Sequence, residues 1–108
     1  MRVVLDECLP RRLGKLLTGH EVATVPELGY AGKKNGELLS LLAGKFDVFV
    51  TVDSNLPAQQ NMSRHSIGVV VIRASSNRLD DLQPLVPEML SAIALVRPHD
   101  VVTVGATS

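Results

Sequence analysis

The chain has 108 residues, enough for one ordinary hydrophobic core and too few for two, so a single domain over residues 1–108 is expected. Its apolar fraction is 45% but its aromatic fraction only 3%, with no Trp, which leaves Val, Leu, Ile and Ala to pack the core, as in buried parallel sheets. Eleven basic residues balance eleven acidic ones, which excludes the overall positive field that drives non-specific nucleic-acid binding, so any RNA contact must be local.

Arg2 to Leu5 is a short β-branched run ended by Asp6 and Glu7, and the next segment opens with Pro10 and continues through Leu13, Leu16 and Leu17 at helical spacing. Gly19 is expected to end that helix, and Glu21 to Val25, closed by Pro26, reads as a second strand. Residues 27–36 hold three glycines and two lysines and mark a loop, before Glu37 to Ala43 resumes a helical pattern that Gly44 stops. Asp47 to Val52 is the third strand, and it too runs straight into a carboxylate, Asp53. Gly68 to Ile72 is apolar throughout, as a central strand covered on both faces should be, and it ends at Arg73. A last helix is expected with Asn77 as cap and Leu79, Leu82, Val86, Met89, Leu90 and Ile93 on one face, kinked or split by Pro84 and Pro87. Val101 to Val104 supplies a fifth strand. Strand alternating with helix in one domain implies an α/β fold: a mainly parallel sheet of four or five strands, layered between helices, with right-handed crossovers. Strand order 2-1-3-4-5 follows if the first and third strands are neighbours.

The single Cys8 excludes an internal disulfide, and Asp6 arrives too soon for the apolar stretch of a signal peptide. No apolar run approaches the roughly 20 residues of a membrane helix, so a cytoplasmic protein without a membrane partner is expected.

In open α/β sheets ligands bind outside the carboxyl ends of the strands. Asp6, Glu7 and Asp53 all fall on that edge, and carboxylates held close together repel unless a cation neutralises them. Oxygen ligands without a His or Cys nearby select Mg²⁺ or Mn²⁺ rather than zinc. On this reasoning Asp6→Asn should disable metal binding while relieving repulsion in the metal-free protein. A simpler reading is that each acid caps the next helix or steadies a turn, and Glu37, at a helix start, fits the helix dipole equally well. Arg73 lies on the same edge, where it could hold a phosphate or pair with Asp53. Arg11 and Arg12, near the first helix, could touch a nucleic-acid backbone or form a solvated face. His20, His65 and His99 fall in turns and read as surface residues, and Cys8, with no adjacent base, reads as a small buried side chain.

Three stretches, Leu5-Asp6-Glu7-Cys8-Leu9-Pro10, Leu28-Gly29-Tyr30-Ala31-Gly32 and Thr51-Val52-Asp53-Ser54-Asn55-Leu56-Pro57, together resemble the family of short PIN-like proteins. That resemblance covers nearly the whole chain. It implies a PIN-like fold and a metal-dependent ribonuclease, commonly a toxin paired with an antitoxin protein. The implied catalytic residues are Asp6, Glu7 and Asp53, and the implied ligands of Mg²⁺ or Mn²⁺ are Asp6, Glu37 and Asp53. Arg11, Asn55 and Arg73 are the candidates for RNA contact, together with the amides of the run from Asn55 to Asn61. The chain departs from the family pattern in carrying Asn35 and Asn55 where many relatives have acids, which lowers the expected metal affinity. A catalytically silent relative that binds only an antitoxin or RNA is the alternative, and homodimerisation is left open. A phosphoacceptor receiver domain shares the acid placement but needs a Lys after the fifth strand, and no Lys follows Lys45.

Overall fold

The computed structural model describes residues 1–56 and 60–105. Its strands form where the sequence is β-branched and continuously apolar: β1 at Arg2–Leu5, β2 at Glu21–Thr24, β3 at Val48–Thr51, β4 at Gly68–Arg73 and β5 at Val101–Gly105. All four pairings are parallel and the order is β2-β1-β3-β4-β5, as the placement of the acids requires.

Successive side chains of a strand point to opposite faces, and here both faces are covered. Val3, Leu5, Val48, Val50, Val70 and Ile72 pack on one face, against Leu13 and Leu17 from the first helical segment and Leu82, Met89 and Ile93 from the last two. Val4, Phe49, Val69 and Val71 pack on the other, against Leu38, Leu39 and Leu42. Each such side chain taken out of water contributes about 1.5–3 kcal/mol, so the apolar runs are stable only as covered strands. The result is a three-layer α/β sandwich. Among the described residues no helix is long and apolar enough to cross a membrane.

The first two helical segments and the cap of the last depart from expectation, while the split of the last by its prolines follows it. The first, α1, is one turn at Leu13–Leu16 and does not run to Gly19. The turns leading into it close three residues apart, from Leu13, Gly14 and Lys15 N–H to the carbonyls of Pro10, Arg11 and Arg12, the tighter 3₁₀ pattern that rarely persists. The second, α2, spans Asn35–Leu42 and so begins two residues before Glu37. The last stretch is split by its prolines into α3 at Leu79–Leu82, a 3₁₀ turn at Gln83–Leu85 and α4 at Val86–Leu95. Asn77 is not the cap. Arg78 holds the cap position without a side-chain cap bond, Ser76 Oγ accepts from Arg78 N–H, and the Asn77 amide instead donates to the Cys8 carbonyl at 2.7 Å.

Register places the site. Leu5 pairs with Val50 across β1 and β3, and Asp6 N–H extends that ladder to the Val50 carbonyl at 2.9 Å. The end of β1 therefore lies beside Thr51, the last residue of β3.

Candidate active site at the carboxyl edge of the sheet

Thr51 is fully buried and Asp6 is 9% exposed. The Thr51 hydroxyl donates to Asp6 Oδ2 at 2.6 Å and accepts from Asp53 N–H at 3.1 Å. One side-chain oxygen thus ties the two strand-end acids together. The other Asp6 oxygen accepts from Glu7 N–H at 2.8 Å. Asp53 accepts from Asn55 N–H at Oδ1, 3.0 Å, and from the Asn35 side-chain amide at Oδ2, 3.2 Å. Four donors therefore serve the four carboxylate oxygens. Hydrogen bonds to a charged acceptor are the strong class, worth about 1.5–3 kcal/mol each, so the orientation of both acids is set by protein donors.

The remaining site candidates scatter around this pair. The Glu7 carboxylate turns away to accept from Gly32 N–H at 3.2 Å. Glu37, 59% exposed at its side chain, pairs with Lys33 at 3.1 Å one turn back, while Asn35, two residues earlier, is the α2 residue that reaches Asp53. Arg11 is exposed and lines a separate cleft with Lys15, His20 and Glu27. Arg73 is exposed, makes no ion pair among the described residues, and lines a cleft of about 370 Å³ with Val52, Ser54, Ser76 and Asn77. Val52 and Ser54 flank Asp53, so this cleft borders the acids. Asn55 is exposed beside Asp53. Within the amide run, Pro57, Ala58 and Gln59 lie outside the described residues.

His65 corrects the surface reading of the histidines: it is 8% exposed, packed where the chain returns to β4. His20 meets the N-terminal amine at 3.3 Å and His99 the Met62 carbonyl at 3.1 Å. Cys8 is half-buried, and burial, aided by the neighbouring Asp6 charge, pushes its thiol up from the usual value against a lowering hydrogen bond from the Val52 backbone. A neutral thiol with no base is a packing residue, as expected.

Among the described residues no group of three or more His, Cys, Asp or Glu side chains is gathered tightly enough to hold a metal ion. The candidate oxygen ligands at this edge are the carboxylates of Asp6 and Asp53 and the Thr51 hydroxyl, while Asn35 presents its amide nitrogen to Asp53. That set suits Mg²⁺ or Mn²⁺, because Mg²⁺ commonly takes one or two carboxylates and completes its shell with water and phosphate oxygens. Thr51 was not among the expected site residues, and Asn35, expected only as an amide in place of an acid, was not expected to bond Asp53. For Thr51 the spacing Thr51-Val52-Asp53 was the available signal, since residues two apart on a strand share a face; for Asn35 the resemblance marked the position, but nothing local points to its partner 18 positions away. Strand order 2-1-3-4-5 also serves flavodoxin-like receivers, but here β5 ends in Val104-Gly105 with no Lys.

A family model described as PIN like domain matches residues 1–75, which hold β1 to β4 and every residue of the acidic edge. No curated protein and no solved structure matches the chain.

Proposed function

Because the chain belongs to the PIN-like domain family, we propose that its acidic edge is the active site of a metal-dependent ribonuclease, acting in the cytoplasm as the toxin of a toxin–antitoxin pair. The observation that supports this reading is the Thr51 hydroxyl, which donates to the Asp6 carboxylate and accepts from the Asp53 main-chain N–H, so that acidic residues from the ends of two strands share one anchor. Asp6 and Asp53 would hold Mg²⁺ or Mn²⁺, which when bound lowers the pKa of a coordinated water and neutralises charge on the phosphoryl oxygens. Thr51 fixes the rotamer of Asp6, and Asn35 and the Asn55 backbone fix that of Asp53, so both acids meet the substrate already oriented. Glu7, one residue past Asp6, would orient a water after releasing Gly32 N–H. Arg73, with Ser54 in the adjoining cleft, would grip a neighbouring phosphate through charge-assisted hydrogen bonds. With no net positive charge, this local grip is what RNA binding has to rely on.

Calorimetry with Mn²⁺ on wild type and Asp53→Ala, paired with cleavage of single-stranded RNA, tests the proposal. Weak binding lost in the variant, and cleavage only with the metal, is the expected result; equal heats from the two proteins would remove Asp53 from the ligand set. The second reading, a silent relative that binds an antitoxin, is favoured by one observation: the Asp6 and Asp53 oxygens already have protein donors. It predicts no metal heat and no cleavage from a correctly folded protein.

A further inference from the structure

Of the four asparagines in the chain, at positions 35, 55, 61 and 77, only Asn35 is followed by glycine. It is also the one whose side-chain amide rests on a carboxylate of the acidic edge, at 3.2 Å from Asp53 Oδ2. We propose that Asn35 is a site of spontaneous deamidation, and that the modification exchanges a neutral donor at Asp53 for a second carboxylate. The consequence for metal binding rests on the metal reading above; the modification itself does not.

The chemistry uses only water. The backbone nitrogen of Gly36 attacks the side-chain carbonyl carbon of Asn35, a new carbon–nitrogen bond closes a five-membered succinimide, and ammonia leaves with the proton from that nitrogen. Water then opens the ring. Attack at the side-chain carbonyl yields aspartate, and attack at the main-chain carbonyl yields isoaspartate. The net change is loss of ammonia and gain of water, with no oxidant or reductant.

Three structural facts favour this position. Glycine at 36 puts no side chain beside the attacking nitrogen. A Cβ there would lie 2.9 Å from Gln60 Oε1, the movable end of a flexible side chain, so Gly36→Ala is accommodated by a shift of Gln60. Asn35 and Gly36 are both only partly buried, so water reaches them. Asn35 is also the first residue of α2, and the nitrogens of a helix's first turn have no partner within the helix. For the Asn35–Gly36 peptide to swing into reacting geometry, the helix gives up one backbone bond, from Leu38 N–H to the Lys34 carbonyl, and restarts one residue later.

The aspartate product reverses the electrostatics of the site. An amide nitrogen compensates the Asp53 charge, whereas an oxygen in its place sets two carboxylates against each other at hydrogen-bond range. Like charges so placed are relieved by a shared proton or a cation, and each added carboxylate raises affinity for a hard divalent ion. Ageing of the protein would then turn a weak cation site into a stronger one.

The test is to hold purified wild type and Gly36→Ala at mildly alkaline and at mildly acidic pH, then map peptides by mass. The expected result is a gain of one mass unit at Asn35, faster in alkali and suppressed in Gly36→Ala. No gain, or a gain only at another asparagine, overturns the proposal. Asn35→Asp, titrated with Mn²⁺ beside fresh wild type, is expected to bind on the order of tenfold more tightly; affinity equal to a measurable wild-type value overturns the electrostatic half. Should the mass gain occur while neither protein binds Mn²⁺, the modification site stands and the metal reading is what fails.

Discussion

Replacing Thr51 by valine keeps the shape and the branched Cβ that suit a strand but removes the hydroxyl joining Asp6 to Asp53. Two hydrogen bonds go. The first, 2.6 Å to an Asp6 carboxylate that is 9% exposed, is of the charged class worth about 1.5–3 kcal/mol; the second, from Asp53 N–H, is a neutral bond worth about 1 kcal/mol. The new methyl recovers about 0.8 kcal/mol of this by burial, so a net loss of roughly 2–3 kcal/mol is expected. For a domain of this size each kcal/mol moves the melting temperature by about 4–8 °C, so Thr51→Val should melt ~10–25 °C below wild type. Thr51→Ser retains the hydroxyl and loses one buried methyl, a change of about 1 kcal/mol, and so serves as the control. Thermal melts followed by circular dichroism, with urea titrations to check that the slope is unchanged, give the comparison. A Thr51→Val protein that melts with wild type, or a Thr51→Ser protein that falls as far as the valine, would refute the claim that this hydroxyl holds the acidic edge together.

Asp6→Asn should lower stability by about 1–2 kcal/mol rather than raise it, because its amide can satisfy Glu7 N–H or the Thr51 proton but not both; a denaturant titration decides this, and a more stable variant would restore the repulsion argument. Gly105→Ala should be destabilised by about 1–3 kcal/mol, since residue 105 has φ 110 and a Cβ there would overlap the Arg73 carbonyl; a melt equal to wild type would mean the β5 end is not held. Cys8 should alkylate slowly at neutral pH and faster as pH rises. Its thiol is raised by burial, so above its usual value of 9.0 the unfolded chain ionises first and stability falls with rising pH. An alkylation rate at neutral pH equal to that of a free thiol would contradict the burial.

The stability half of the Asp6→Asn expectation shows where sequence reasoning stops. Counting carboxylates at strand ends leads to repulsion, and only the structure supplies the donors that orient them. Residues such as Val48 to Thr51 and Gly68 to Ile72 were legible as strands because continuous β-branched apolar runs have nowhere stable to go except a sheet covered on both faces. The acids at residues 6 and 53 were legible as neighbours for a related reason. Parallel strands joined by right-handed crossovers put their carboxyl ends on one edge, so a local pattern carries global information.

What escaped were contacts between groups far apart in sequence whose partners depend on register and backbone path. The Thr51 hydroxyl finds Asp6 across 45 positions, Asn77 leaves the cap site for a carbonyl 69 positions away, and Asn35 rather than Glu37 comes to Asp53 because α2 starts early enough to bring its first residue to the edge. Periodicity says which face a side chain shares. It does not say which of several nearby oxygens and nitrogens will meet, since that turns on differences of one residue in register and a few tenths of an ångström in distance. The sequence by itself therefore determined the layers, the strand order and the edge on which the acids stand, all consequences of apolar burial and chain chirality. Only the tertiary structure decided how those acids are held, because hydrogen-bond partners are chosen by short-range geometry that exists once the chain has folded.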